Sequence, residues 1–120
     1  MQLATGITLI STLLLFAQQC GKEDVSNGTP DCVQKKIEEI MSQEVWNPPA
    51  KVYSYFYEGR RVYFVPQHCC DFPSQLLDEN CNEMCRPDGG FSGRGDGRCA
   101  DFFDTRKSEL LIWADPRGGD

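Results

Sequence analysis

The chain is poor in the residue types that most catalysts and nucleic-acid-binding proteins need. It has a single histidine, His68, and 12 lysine and arginine residues against 18 aspartate and glutamate residues, a formal net charge of −6. This shortage of positive charge makes binding to a phosphate backbone unfavourable, so we expect no nucleic-acid partner. Its apolar runs are shorter than the roughly 20 residues of a membrane span, so we expect none. With 120 residues there is room for one small domain, which we predict to be non-catalytic and without a cofactor.

The N-terminal segment predicts export. Residues 1–17 carry no charged side chain, and residues 7–17 form an apolar run that is typical of the hydrophobic region of a secretory signal peptide. We therefore predict a signal peptide over residues 1–17 and a secreted, extracellular protein. Residues 18–28 are polar and form a flexible leader. Residues 29–117 then make a single disulfide-stabilised domain, and residues 118–120 a tail.

Two features of the leader bear on the route of export. Cys20 follows the apolar run, where the acylated cysteine of a bacterial lipoprotein is found, although Gln19 occupies a position at which a small residue is expected. Asn27 begins the N-glycosylation sequon Asn-Gly-Thr, which favours a eukaryotic secretory route, and Pro30 after the sequon lowers its efficiency. A lipid-anchored surface lipoprotein is therefore the alternative to a freely secreted, glycosylated protein.

Seven cysteines in so short a chain predict a disulfide framework. If Cys20 is set aside, six cysteines remain for three bridges, and the sequence leaves their pairing open. A bridge between adjacent residues closes a strained ring, so we expect Cys69 and Cys70 to bond two different partners. Zinc binding by His68 with Cys69, Cys70, Cys81 and Cys85 is the weaker alternative, because an oxidising compartment converts thiols to disulfides. The six are Cys32, Cys69, Cys70, Cys81, Cys85 and Cys99.

The first half of the domain predicts a helix followed by a β-hairpin. Thr29 is placed to N-cap a helix whose first residue is Pro30, and apolar residues at helical spacing mark its core-facing side. The prolines of residues 47–49 end this helix. Two strands rich in Val, Tyr and Phe follow around a Glu58-Gly59 turn, over residues 51–57 and 61–66.

The second half of the domain predicts shorter elements. A second hairpin spans residues 74–77 and 82–85, a short helix spans residues 101–107, and a last strand spans residues 110–113. Together these elements predict an α+β fold. We expect a small disulfide-rich domain in which an N-terminal helix covers a short antiparallel sheet of two hairpins and a C-terminal strand.

The glycine-rich loop of residues 89–98, GGFSGRGDGR, supports three functional hypotheses. Arg94, Gly95 and Asp96 form the tripeptide that adhesion proteins display to integrins. Arg94 or Arg98 is also a candidate for insertion into the pocket of a trypsin-like protease, as in a protease inhibitor. The third hypothesis is a calcium site, because carboxylates and glycine carbonyls supply oxygen ligands. Its candidate ligands are Asp88, Asp96, Asp101 and Asp104.

Several segments resemble a small family of uncharacterised extracytoplasmic domains. These segments include VYSYFYEGRRVYFVP, CRPDGGFSGRGDGRCADFF and LIWADPR, and the pattern PDGG-F-x-G-x-GDG-x-C is the specific core of the resemblance. The resemblance covers residues 32–117 and is to domains of bacterial lipoproteins and of secreted invertebrate proteins. It implies export and no known reaction.

These features together predict a secreted, non-catalytic, acidic binding protein or extracellular-matrix protein. Its expected partner is an extracellular protein, the matrix or a mineral surface, and calcium is the candidate cation. The alternatives are a lipid-anchored cell-surface lipoprotein of unknown ligand and a secreted protease inhibitor.

Overall fold

The computed structural model describes residues 25–118 and confirms the predicted α+β fold. The predicted signal peptide, Cys20, most of the leader and the last two residues lie outside the described residues. Five strands form one antiparallel sheet in the order β4-β3-β2-β1-β5. In chain order the elements are helix α1 (Asp31–Met41), strands β1 (Lys51–Tyr57), β2 (Arg60–Val65), β3 (Gln75–Leu77) and β4 (Glu83–Cys85), helix α2 (Phe102–Thr105), strand β5 (Lys107–Ala114) and a 3₁₀ turn at Pro116–Gly118.

Helix α1 begins at Asp31, and its N-terminus differs from the prediction. Pro30 is the capping residue, and no side chain makes a capping hydrogen bond. The expected cap at Thr29 was wrong because the helix begins one residue later, with Thr29 outside the capping position; the Thr29 hydroxyl donates to the carbonyl oxygen of Ser26, at 2.6 Å. Asp31 lies in the first turn, where a negative charge is stabilised by the helix dipole.

The hairpin of β1 and β2 has the predicted register, with Tyr57 opposite Arg60. Both turn residues have positive φ, 51° at Glu58 and 75° at Gly59, which is the conformation of a mirror-image turn that matches the twist of the strands. Because side chains alternate along a strand, this register fixes which residues face each side of the sheet.

Both faces of the sheet are covered. On one face, Val33, Ile37 and Ile40 of α1 pack against a buried cluster that the strands supply, with Val52, Tyr63, Val65, Leu77, Ile112 and Trp113. On the other face, the fully buried Phe102 of α2 contacts the rings of three aromatic residues, Tyr55, Tyr57 and Phe64. The helix that the sequence predicts as the cover therefore covers one face, and the short α2 covers the other.

Three disulfides join the six cysteines. Cys32–Cys81 ties α1 to the turn between β3 and β4, and Cys85–Cys99 ties β4 to the end of the glycine-rich loop. The third disulfide joins Cys69 to Cys70, so the expectation of two different partners was wrong. The other four cysteines pair with one another, which leaves these two only each other among the described residues. Disulfides take the place of the thiols of the zinc alternative, and they indicate an extracytoplasmic protein.

The C-terminal turn is fastened to the end of α1. The guanidinium of Arg117 donates to the carbonyl oxygens of Met41 and Gln43, at 3.2 and 2.7 Å. It also donates to the carboxylate of Asp115, at 2.7 Å, and the Asp115 side chain is fully buried. Carbonyl groups at the end of a helix lack partners within the helix, so Arg117 supplies partners where α1 ends.

Candidate functional site

The glycine-rich loop is held against the end of β4 by its own backbone. The Gly95 N–H donates to the carbonyl oxygen of Gly89 at 3.0 Å, and the Asp96 N–H donates to that of Arg86 at 2.9 Å. A β-carbon at Gly95 would overlap the Arg86 carbonyl oxygen, and Gly95 has a φ of 64°. Glycine is therefore required here for a close backbone approach as well as for its conformation.

The carboxylate of Asp96 is engaged within the loop. It accepts hydrogen bonds from the backbone N–H groups of Arg86 and Arg98 and from the Arg98 guanidinium, at 3.1, 3.1 and 2.8 Å. Burial raises the pKa of Asp96, but these hydrogen bonds outweigh it and leave the pKa below the ordinary value. The adhesion hypothesis needs an accessible carboxylate beside Arg94. Asp96 and Arg94 are both exposed, so the adhesion hypothesis stays a prediction.

The four aspartates proposed as calcium ligands each have different surroundings. Asp101 accepts a hydrogen bond from the Tyr57 hydroxyl at 2.6 Å, and Asp104 is exposed on α2. One carboxylate oxygen of Asp88 is buried without a hydrogen-bond partner among the described residues. Within residues 25–118, no group of three or more His, Cys, Asp or Glu side chains is placed to hold a metal ion. The structure therefore does not assemble the predicted ligand set.

Of the two predicted modification sites, Asn27 lies among the described residues. Asn27 is exposed in the turn before α1, and Gly28 beside it has a φ of 84°. Cys20, the candidate for lipidation, lies outside the described residues. An exposed Asn27 is compatible with a glycan, which needs space around the asparagine.

A cleft of about 850 Å³ lies between the segment that follows α1 and the loop from β2 to β3. Its wall exposes more apolar than polar surface, as ligand-binding clefts do. The apolar and aromatic part of the lining comes from Val45, Trp46, Val65, Pro66, Phe72 and Pro73.

Three stacked rings form one wall of this cleft. The rings of Trp46 and His68 are 3.5 Å apart at 12°, and those of His68 and Phe72 are 4.7 Å apart at 3°. The imidazole is thus held between an indole and a phenyl ring. A hydrogen bond from the Cys69 N–H to the Asn47 carbonyl oxygen, 2.6 Å long, joins the two segments that carry the rings. The two sides of the cleft are therefore tied together by ring packing and by the backbone.

The charged side chains around the cleft are of both signs. Lys36 and Arg86 line it, together with one acid, Glu44. Arg86 also donates through Nε to Glu83 at 2.6 Å, so its charge is partly neutralised. Burial and the nearby Lys36 ammonium lower the pKa of His68 below the ordinary value of 6.5, so this imidazole is neutral at pH 7. Lys36 Nζ lies 3.9 Å from a carboxylate oxygen of Glu39, and an ion pair of this kind at the surface is weak. The Lys36 ammonium is therefore the group of the cleft that can bind an anion.

Sequence reasoning missed this cleft as a site. The sequence singles out His68 as a candidate zinc ligand and does not single out Trp46. The cleft forms only when two segments about 20 residues apart meet, and hydrophobic periodicity does not report such a meeting. The one local signal was the density of aromatic residues and cysteines beside the prolines of residues 47–49 and 66.

Comparisons with known proteins give a family and no function. In the part of the chain that the structure describes, no helix has the length and hydropathy needed to cross a bilayer. No curated protein and no solved structure gave a significant match. A family model described as a domain of unknown function matches residues 38–115, more than half of the chain. The chain therefore belongs to the DUF6970 family of domains of unknown function.

Proposed function

We propose that this chain is a secreted, non-catalytic binding protein whose cleft takes a small organic anion with an aromatic or apolar body. The observation that carries the proposal is the cleft between Trp46, His68 and Phe72, with Lys36 beside it. Its volume of about 850 Å³ lies within the range of sites for small molecules.

The lining supports this class of ligand. Ring faces and prolines favour the burial of apolar surface, and Phe72 is 56% exposed, so part of its ring is open to a ligand. Lys36 offers an ammonium to a carboxylate or sulfonate.

The surroundings of His68 support binding rather than catalysis. The imidazole is stacked on both faces, its pKa is lowered, and its Nδ1 is buried without a hydrogen-bond partner among the described residues. A general base must be within hydrogen-bond reach of the proton that it takes. We propose that His68 serves as a rigid wall of the cleft.

Export supports an extracellular setting for this binding. Three disulfides need an oxidising compartment, and the apolar run of residues 7–17 supplies a signal for export. Intact mass of protein from its natural source tests this step. Loss of the signal peptide supports free secretion, a diacylglycerol on Cys20 supports the lipoprotein alternative, and an unprocessed chain contradicts export.

Titration with 8-anilinonaphthalene-1-sulfonate, an aromatic anion, tests the binding proposal. We expect backbone NMR shifts confined to residues around the cleft. The Lys36→Gln variant should bind the probe about fivefold more weakly, which corresponds to about 1 kcal/mol for a partly exposed ion pair. Phe72→Ala should also weaken binding.

Two exposed residues of β5 provide matched controls. Lys107→Gln removes the same charge from the protein, and Leu110→Ala removes an exposed apolar side chain. Neither should change the affinity by more than about twofold, because rim and surface changes away from a site cost little. Equal losses in the control and cleft variants, or shifts spread over the surface, would contradict the proposal.

A further inference from the structure

The Cys69–Cys70 disulfide differs from the other two in what it connects. The other bridges join residues 49 and 14 positions apart, whereas this one joins neighbours in the chain. A disulfide stabilises a fold chiefly by closing a loop in the unfolded chain. Since Cys69–Cys70 closes no loop of chain between elements, stability of the fold does not account for it.

This disulfide is also the most accessible of the three. Cys69 and Cys70 are both exposed, whereas Cys85 is 0% and Cys99 7% exposed. Cys32 and Cys81 are half-buried. Thiol–disulfide exchange requires a thiolate to reach a disulfide sulfur, so its rate depends on access. A soluble thiol therefore meets Cys69–Cys70 first.

Its position couples this bond to the cleft. Cys69 lines the cleft, follows the stacked His68 and donates its N–H to the carbonyl oxygen of Asn47. Opening the disulfide would replace one small ring by two independent side chains beside the Trp46 and His68 rings. The redox state of the pair thus acts directly on the wall that holds the two sides of the cleft together.

We propose that Cys69–Cys70 is a reversible thiol–disulfide exchange site for low-molecular-weight thiols and that its redox state changes the conformation of the cleft wall. A thiolate attacks one of the two sulfurs, the bond between them breaks, and a mixed disulfide forms while the other cysteine leaves as a thiolate. A second thiolate then attacks the sulfur of the bound small thiol, the mixed disulfide bond breaks, and the protein cysteine leaves as a thiolate. The two thiols leave as one disulfide, and their two protons end on Cys69 and Cys70. The reverse reaction uses that small disulfide as the oxidant. This inference does not depend on which ligand the cleft binds.

Graded reduction of the folded, oxidised protein tests the exchange site. The protein is equilibrated with mixtures of reduced and oxidised glutathione, alkylated with iodoacetamide and mapped by peptide mass spectrometry, which resolves Cys20 from the other six. We expect Cys69 and Cys70 to be labelled at a ratio of reduced to oxidised glutathione at least about tenfold lower than the other four. Oxidised glutathione should reverse the labelling. Simultaneous labelling of all three bridges, or earlier labelling of Cys85 and Cys99, would overturn the proposal.

Trp46 fluorescence tests the coupling to the cleft. We expect the emission to change with the same midpoint as the labelling of Cys69 and Cys70. The change should vanish in Cys69→Ser/Cys70→Ser, which keeps both long-range bridges, and in Trp46→Phe, which leaves only the buried Trp113. Labelling of the pair without any change in emission would overturn the effect on the cleft wall. The titration with the aromatic sulfonate is done on the oxidised protein, independently of the cysteine labelling. A failure of the proposed ligand class is therefore distinguishable from a failure of the exchange site.

Discussion

We expect the two long-range disulfides to supply nearly all the stability that comes from cross-links. Three double variants separate the bridges: Cys32→Ala/Cys81→Ala, Cys85→Ala/Cys99→Ala and Cys69→Ser/Cys70→Ser. Alanine suits the first two pairs because their sulfurs are wholly or partly buried, and serine suits the exposed pair. Each variant removes one bridge and leaves the other two.

The expected magnitudes follow from the length of chain that each bridge closes. For a separation of 49 residues, the loss of loop-closure entropy in the unfolded chain is about 4 kcal/mol. For a separation of 14 residues, it is about 3 kcal/mol, to which burial of the Cys85 and Cys99 sulfurs adds. Neighbouring residues close no such loop, so the free energy of unfolding should fall by less than about 1 kcal/mol in the third variant.

Urea denaturation at fixed temperature measures these differences. The two alanine variants should also show a larger dependence of the free energy on urea, because an uncrosslinked unfolded chain exposes more surface. The serine variant should keep the value of the unmodified protein. If the serine variant loses as much stability as either alanine variant, or changes the urea dependence as they do, the assignment of Cys69–Cys70 to function instead of stability is refuted.

Three further predictions concern the loop, an acid and cations. Gly95→Ala should lower the free energy of unfolding by about 3 kcal/mol or more. Gly97→Ala, which is also at positive φ but has open space around it, should lower it by about 1 kcal/mol. Equal losses of stability in thermal unfolding would contradict the close approach at Gly95. The Arg117 hydrogen bonds lower the pKa of Asp115 below its ordinary value of 3.8. The ionised Asp115 therefore stabilises the fold above that pH, and this stabilisation is lost as the pH falls through the folded-state pKa. The difference in free energy of unfolding between the protein and Asp115→Asn should therefore be smaller at pH 3 than at pH 7. A difference that does not change with pH would contradict the stabilisation by ionised Asp115. Millimolar calcium and magnesium should shift the melting temperature equally, whereas a rise with calcium alone would indicate a cation site that the described residues do not assemble.

Much of the fold was predictable because its signals are local. The Glu58-Gly59 turn between two β-rich runs fixes the register of β1 and β2, and the register then assigns each side chain to a face. The stripe of Val33, Ile37 and Ile40 identifies the buried side of α1. The cap of α1 was not predictable, since the helix begins one residue later than a Thr29 cap requires, and local pattern does not fix a helix start to a single residue.

The candidate site was predicted poorly because it depends on contacts between distant segments. The composition of residues 89–98 supports three hypotheses, but it does not show that the Asp96 carboxylate accepts hydrogen bonds from Arg86 and Arg98. The cleft depends on the meeting of Trp46 with His68, and the pairing of Cys69 with Cys70 depends on where the other four cysteines lie. Such long-range pairings are properties of the folded chain.

The distribution of the disulfides separates stability from function within this small domain. One long-range bridge fastens α1 over one face of the sheet, and the other holds the glycine-rich loop near α2 on the opposite face. A domain of this size buries a limited fraction of its surface, so the two bridges that fix both covers matter for its stability, whereas the Cys69–Cys70 bond joins neighbouring residues. The loop from β2 to β3 is where the exposed Cys69–Cys70 pair and the aromatic wall of the cleft lie. Residues that bind or react concentrate on loops held by a rigid framework. Here the two long-range bridges cross-link that framework, and the Cys69–Cys70 disulfide does not take part in it.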